Sequence, residues 1–340
     1  MTVRVGINGF GRIGRHFLRA AWAQQAPVEV VAVNDLTDAA TNAHLLRRDS
    51  THGRFGAEVT VDGDCIVVGG HPVRVLAEPE PKALPWDELG ADVVIESTGR
   101  FTSRAAAAQH LEGGAKRVIV SAPSGDADAT FVIGVNDQDF DPARHVVVSN
   151  ASCTTNCFVP MVKVVDDVFG ITGGLMTTVH AYTNDQNLLD LTHKDLRRAR
   201  AAAQNIVPAS TGAARATGLV LAAMKGKLDG TALRVPVMDG SITDFTGVVP
   251  GSVSAAQVNE AFSAAATEGP LAKVLVYSEE PLVSSDIVGN PASCIFDSAL
   301  TMVTPLGEHG TLVKVLGWYD NEWGYANRLV DLVGIIGSPS

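Results

Sequence analysis

A chain of 340 residues is longer than one hydrophobic core usually supports, so two domains are expected, and 46% apolar residues with a mean hydropathy of +0.16 suffice to fill both cores. A formal charge of −11, from 26 basic and 37 acidic residues with no basic block, argues against a nucleic-acid or membrane-surface partner. There is no secretory pattern and no apolar run long enough to span a bilayer; Cys65, Cys153, Cys157 and Cys294 lack metal-ligand spacing, so a reducing, cytoplasmic setting without a metal is expected.

Val3 to Asn8 reads as a short apolar strand that passes straight into Gly9-Phe10-Gly11-Arg12-Ile13-Gly14. An amphipathic helix is expected from about Arg12 to Gln24, and then a second strand, Val28 to Val33, that ends in Asn34-Asp35. Strand, glycine loop, helix, strand and acid in that order mark a dinucleotide site. The glycines let backbone N–H groups approach a pyrophosphate at the helix start. Asp35 falls 21 residues after Gly14, where a carboxylate can reach the adenosine ribose hydroxyls and repel the 2′-phosphate of NADP, which points to NAD.

Three short strands, Ala57 to Val61, Cys65 to Val68 and His71 to Val75, with the turn Asp62-Gly63-Asp64, predict a hairpin excursion. Val93 to Glu96 and Val118 to Val120, with a helix from Ser103 to His110 between them, resume the α/β alternation. Ser97-Thr98-Gly99 and Ser121-Ala122-Pro123 follow strand ends, where small polar residues line the ligand crevice of parallel sheets; each is equally an ordinary turn.

The run Ser149 to Cys157, SNASCTTNC, leads into a helix expected to begin near Thr154 and to stop at Gly170. A cysteine at a helix start faces free backbone N–H groups and the positive end of the macrodipole, which favour the thiolate, so Cys153 is a candidate nucleophile. Most cysteines are small buried apolar residues, but Ser152, Thr154, Thr155 and Asn156 crowd Cys153 with polar groups that a packed core does not use. Cys157, one turn deeper, is expected to be protonated and inert.

Beyond Gly170 the alternation lengthens: Leu175 to Tyr182, Ala232 to Val237, Ile242 to Val249, Cys294 to Val303 and Leu312 to Trp318 read as a mainly antiparallel sheet. Helices are expected at Thr211 to Met224, at Ser254 to Ala266 with a Ser254-x-x-Gln257 capping box, and at Asn321 to Val333. Asn184 to Asn205 is a long, polar, basic loop of the kind used for function or for an interface. His180, mid-strand among Thr177, Thr178, Tyr182 and Thr183, is the best placed of nine histidines to partner the cysteine, although a strand histidine is more often a hydrogen-bonded core residue.

GINGFGRIGR, SNASCTTNC, TTVHAYTNDQ, ASTGAA, LRVP and WYDNEWGY, in this order along the whole chain, resemble phosphorylating glyceraldehyde-3-phosphate dehydrogenase of the NAD-dependent type. The resemblance implies an α/β fold: a Rossmann-type dinucleotide-binding domain over 1–150, an α+β catalytic domain with a mainly antiparallel sheet over 151–317, and a segment 318–340 whose helix returns to the first domain. It further implies that Cys153 attacks the aldehyde of glyceraldehyde 3-phosphate while His180 acts as base. Thr183, Arg234 and the nearby Arg198 would hold the substrate phosphate; Ser152, Thr154, Thr211 and Gly212 would hold inorganic phosphate. The cofactor is NAD, with Gly9, Gly11, Arg12, Ile13, Gly14, Asn34, Asp35, Ser97, Thr98, Gly99, Ser121, Asn321 and Tyr325 as its contacts, and the long loop implies a homotetramer.

The chain departs from the family pattern at Ala209, Arg215, Val237 to Gly240, Gly317 and Ala326, in the stretch Thr304 to Gly310, in Ala77-Glu78-Pro79, which lacks an arginine, and at Thr192, which weakens NADP exclusion. Those around the substrate pocket raise the expectation of an isoform resistant to electrophilic inhibitors. Two other readings are a dehydrogenase of another phosphorylated aldehyde, such as erythrose 4-phosphate, and a non-catalytic redox sensor of the same fold.

Overall fold

The computed structural model describes residues 2–337, so the last three residues of the expected segment 318–340 lie outside the described residues. Two compact units are present, one formed by 2–131, 136–152 and 326–337, the other by 132–135 and 153–325.

In the first unit β1 (Val3–Asn8), α1 (Arg12–Ala23) and β2 (Val28–Asn34) follow one another as the sequence predicts. The glycine motif works by close approach: a Cβ on Gly14 would stand 2.4 Å from the carbonyl oxygen of Gly9, so only glycine lets the first turn of α1 lie against the loop. Next come α2 (Ala39–Arg47), β3 (Arg48–Asp49), β4 (Gly53–Arg54), β5 (Val59–Asp62), β6 (Cys65–Val68), β7 (His71–Leu76), β8 (Val93–Glu96), α3 (Arg104–Ala107), α4 (Gln109–Glu112), β9 (Arg117–Val120), β10 (Ala129–Thr130) and β11 (Val147–Ser149). Nine strands form one sheet in the order β10-β11-β9-β8-β1-β2-β7-β6-β5. From β10 to β7 the pairings are parallel, and β7, β6 and β5 form an antiparallel meander at one edge. Apolar clusters fill the sheet faces, one around Trp86 with Val31, Val94 and Leu84, another around Ala107, Val118 and Val147.

The second unit opens with α5 (Cys153–Phe169), followed by β12 (Gly173–Ala181), β13 (Val207–Ser210), α6 (Ala213–Val220), β14 (Leu228–Val235), β15 (Ser241–Val249), α7 (Ala255–Thr267), β16 (Leu275–Ser278), α8 (Ser284–Ile287), β17 (Cys294–Asp297), β18 (Met302–Pro305) and β19 (Thr311–Tyr319). The chain then enters α9 (Trp323–Ile336), whose residues from Ala326 belong to the first unit. The sheet order is β13-β14-β12-β15-β19-β17-β16, with β18 also on β19. It is mainly antiparallel; β12 with β14 and β16 with β17 are parallel. Met176, Thr178 and His180 of β12 are buried in alternation, as are the odd-numbered residues of β15 and β19. Against them packs α5, where the Phe158 and Phe245 rings meet edge to face at 5.3 Å.

Several expected boundaries are corrected. The expected strand Cys294 to Val303 is two strands, broken by a 3₁₀ turn at Ser298–Leu300 that is held by Asn259 Nδ2 on the Ser298 carbonyl and by Ser298 Oγ on the Ser278 carbonyl. The helix expected over Ser103 to His110 is two short turns, α3 and α4, that meet at Ala108. The helix expected from Thr211 starts only at Ala213 and gives way at Leu221 to a 3₁₀ turn, Ala222–Met224. Strand β14 stops at Val235 because Pro236 has no N–H to donate. Helix α2, which the sequence pattern does not reveal, is capped by Asp38, whose carboxylate accepts from the Thr41 N–H at 2.7 Å.

Candidate active site

Register in the second sheet builds the reactive cluster. In the parallel pair of β12 and β14, His180 lies opposite Arg234, so both side chains share one face. Cys153 is the first residue of α5, and its Sγ lies 3.4 Å from His180 Nε2. His180 Nδ1 lies 2.7 Å from the Ala181 carbonyl oxygen and 2.7 Å from Arg234 Nη1, which is itself 3.0 Å from that oxygen. A guanidinium can only donate. While it holds Nδ1, the ring proton sits on Nε2 and faces the sulfur. When Nδ1–H instead donates to Ala181, Nε2 is free to take the thiol proton. Both states that an acid–base catalyst needs are thus one tautomer exchange apart.

The expected thiolate preference of the helix start is corrected by burial, which pushes the Cys153 thiol above its ordinary value; the Arg234 charge and hydrogen bonding at Thr154 act in the opposite sense. Burial, and then the Arg234 charge, push the His180 imidazolium down to about 3, so the ring is neutral here. Cys157 is buried, 3.5 Å from the Gly317 carbonyl oxygen, and burial pushes its thiol well up, as expected of an inert cysteine.

Tyr319 was not singled out from the sequence, although WYDNEWGY contains it. Its hydroxyl bridges Thr154 Oγ1 at 2.9 Å and Thr178 Oγ1 at 2.8 Å, and its ring meets His180 edge to face at 5.9 Å. Burial pushes the phenol above its ordinary value, so it stays a neutral strut between α5 and β12. The inward alternation of β19 was the signal that could have found it.

The anion-binding candidates fall into two kinds. Thr211 Oγ1 accepts from the Ala213 N–H at 3.2 Å, and Gly212 is the cap residue of α6, with no side chain across the helix start. Thr183 lies just past β12, and Ser152 immediately precedes Cys153. Arg198 pairs with the carboxylates of Asp185 and Asp195 in its own loop and donates to the Ser210 carbonyl of β13 at 3.2 Å. Asn321 Oδ1 accepts from Ser241 Oγ at 2.6 Å, and Tyr325 is buried.

In the first unit a cavity of about 250 Å³ is lined by Asn8, Gly11, Asn34, Asp35, Ser97 and Thr98 among others. Asp35 Oδ2 accepts from the Phe10 N–H at 3.0 Å, which braces the glycine loop and leaves Oδ1 for a ribose hydroxyl. Gly11 caps α1 without a side chain, so the first-turn N–H groups face outward as a pyrophosphate requires. Ser97 Oγ donates to the Gly9 carbonyl at 2.6 Å, Gly99 has φ of +71°, and Ile13 lies in the first turn of α1. Arg12 grips Asp49 through both Nη atoms, and the Ser121 N–H donates to the Glu96 carbonyl at 2.9 Å. These residues fit NAD.

Gly317, where the family pattern has serine, packs on sulfur. A Cβ there would stand 2.6 Å from both Cys294 Sγ and Met161 Sδ. Gly317→Ser should therefore cost about 1–3 kcal/mol in denaturant unfolding. The cost should shrink in a Cys294→Ala background; an equal cost in both would refute the Cys294 contact as its cause and leave Met161.

A Rossmann-type dinucleotide site in one unit and a cysteine beside a histidine and an arginine in the other are features of nicotinamide-linked dehydrogenases. Residues 3–104 match the family model described as the NAD binding domain of glyceraldehyde 3-phosphate dehydrogenase, and residues 152–321 match its C-terminal domain. Over 338 residues, 99% of both chains, the sequence is 60% identical to glyceraldehyde-3-phosphate dehydrogenase 2 of Streptomyces avermitilis and 60% identical to the glyceraldehyde-3-phosphate dehydrogenase of Streptomyces coelicolor. It is 59% identical over 343 residues to that of Mycobacterium avium, again over 99% of both chains. The chain belongs to the glyceraldehyde 3-phosphate dehydrogenase family.

Proposed function

We propose that this chain oxidises glyceraldehyde 3-phosphate to the acyl phosphate 1,3-bisphosphoglycerate, with Cys153 as nucleophile and His180 as acid–base partner. The observation that carries the assignment is the 3.4 Å contact of Cys153 Sγ with His180 Nε2, backed by Arg234 on the same ring. The thiol adds to the aldehyde carbon while its proton passes through Nε2 to the carbonyl oxygen, which gives a thiohemiacetal and returns the His180 ring to its neutral form. His180 then takes the proton of the thiohemiacetal hydroxyl as the carbonyl re-forms. NAD, held by the first unit's residues, would supply the acceptor for the hydride of that carbon. Inorganic phosphate attacks the resulting thioester, the carbon–sulfur bond breaks, and Cys153 is regenerated. Arg234 and Thr183 would hold the substrate phosphate; Thr154, Thr211 and the Gly212 end of α6 would hold the attacking one.

NADH formation from glyceraldehyde 3-phosphate, followed with and without inorganic phosphate, tests this reading. Turnover should fall at least about tenfold without phosphate, because the thioester then waits for water. Phosphate-independent turnover, or a preference for erythrose 4-phosphate, would move the chain to the other aldehyde.

The loop 184–205 exposes Leu188, Leu189, Leu191 and Leu196, each more than 65% accessible, although its backbone is internally tied by Leu191 N–H on Ala199 and Asn187 N–H on Arg198. An ordered loop that shows four leucines suits a homotetramer whose subunits cover them. A monomer mass by light scattering would overturn that assignment. Among the described residues no helix is long and apolar enough to cross a membrane. Four free cysteines suit a cytoplasmic home, which cell fractionation tests.

A further inference from the structure

Behind the cofactor cavity runs a buried polar chain that the chemistry above does not use. Trp86 is fully buried, and its indole N–H donates to His110 Nδ1 at 3.0 Å. With Nδ1 occupied as an acceptor, the proton of the neutral ring sits on Nε2, which donates to Glu96 Oε2 at 3.0 Å. The same Oε2 accepts from Asn8 Nδ2 at 2.6 Å, and Oε1 accepts from both the backbone N–H, at 2.8 Å, and the hydroxyl of Thr98. Asn8 Oδ1 in turn accepts from Asn34 Nδ2 at 2.7 Å, and the Asn34 amide closes on the N–H and carbonyl of Glu78, both at 2.8 Å. Glu96 is 1% exposed and His110 0%. A carboxylate so deep persists only with its lone pairs filled.

Asn8, Asn34 and Thr98 line the cavity, whereas Glu96, His110 and Trp86 stand behind it. From Trp86 through His110 to Glu96 the links run in one direction, so the tautomer of His110 sets where Glu96 sits. Glu96 in turn fixes the two cavity residues bonded to it.

We propose that His110 and Trp86 are positioning residues for the dinucleotide: through Glu96 they hold Asn8, Asn34 and Thr98 at the floor of the NAD cavity. The proposal rests on the cofactor-site reading, which wild-type binding of NAD and of ADP-ribose tests separately. Calorimetry on the full chain then compares His110→Leu, which keeps neither donor nor acceptor, with His110→Gln, which keeps both. His110→Leu should weaken NAD and ADP-ribose by the same factor, about tenfold or more, because a buried carboxylate and an indole N–H lose their partner. At saturating NAD, kcat should stay within about twofold and the KM for the aldehyde phosphate should not move, which a general loss of folded enzyme cannot produce. His110→Gln should recover most of the affinity. Unchanged NAD affinity in a folded His110→Leu chain, or no difference between the Leu and Gln variants, overturns the proposal. If His110→Leu does not fold, Trp86→Phe reads the same chain by removing one N–H: a loss of about threefold is expected, and unchanged affinity overturns it.

Discussion

Cys153→Ser should lower kcat by at least about 10³-fold while leaving NAD affinity within about twofold. A serine hydroxyl at the start of α5 is a far weaker nucleophile than a thiol, and no other group in the cluster can form the thioester. Cys157→Ser should keep most of the activity, because that sulfur faces Met161 Sδ at 4.0 Å and the Gly317 carbonyl rather than His180. A kcat assay beside calorimetric NAD titration separates the two. Substantial turnover by Cys153→Ser, or an equal loss in Cys157→Ser, would reverse the assignment of nucleophile and buried neighbour.

The second large effect is expected at His180. His180→Asn removes the group 3.4 Å from the sulfur, and the loss of acid–base help should lower kcat by about 10²–10⁴-fold. The same variant carries a pH signature. The folded value of about 3 lies below the ordinary 6.5, so the unfolded chain takes up a proton at His180 that the folded chain refuses. The resulting loss of stability is absent above about 6.5 and grows as pH falls from there toward about 3. In His180→Asn that acid sensitivity should diminish, as unfolding midpoints measured across the window will show. An unchanged midpoint profile would mean that the ring is not held neutral in the folded state.

Much of this is legible in the sequence because it is local. The glycine motif and the cap at Ser254 depend on residues a few positions apart and stand where expected, and the strand periods place most strands though not all of their ends. What was missed depends on distant partners or on weak periodicity. Tyr319 reaches Thr154 and Thr178 across 165 and 141 residues of sequence, so no window contains the contact. Helix α2, AATNAHLLR, is short and mixed in polarity, and its clearest sign is the aspartate before it. Arg198 is a phosphate candidate by resemblance alone, and its ion pairs with Asp185 and Asp195 of the same loop lie 13 and 3 positions away in a stretch without strand or helix periodicity. The Cys153 thiol shows the limit of motif chemistry: a helix start lowers a thiol only where burial does not outweigh it.

One property of α5 reaches beyond its catalytic end. From Thr154 to Val162 no residue faces solvent, and the helix carries a proline, Pro160, in its interior. Unlike the last turn, where Asp167 and Val168 are exposed, this stretch has no surface on which to fray, so its amides should exchange with deuterium only when the whole unit opens. The proposed nucleophile would therefore be anchored at the head of a slowly opening stretch, where packing constrains substitution as strictly as chemistry does.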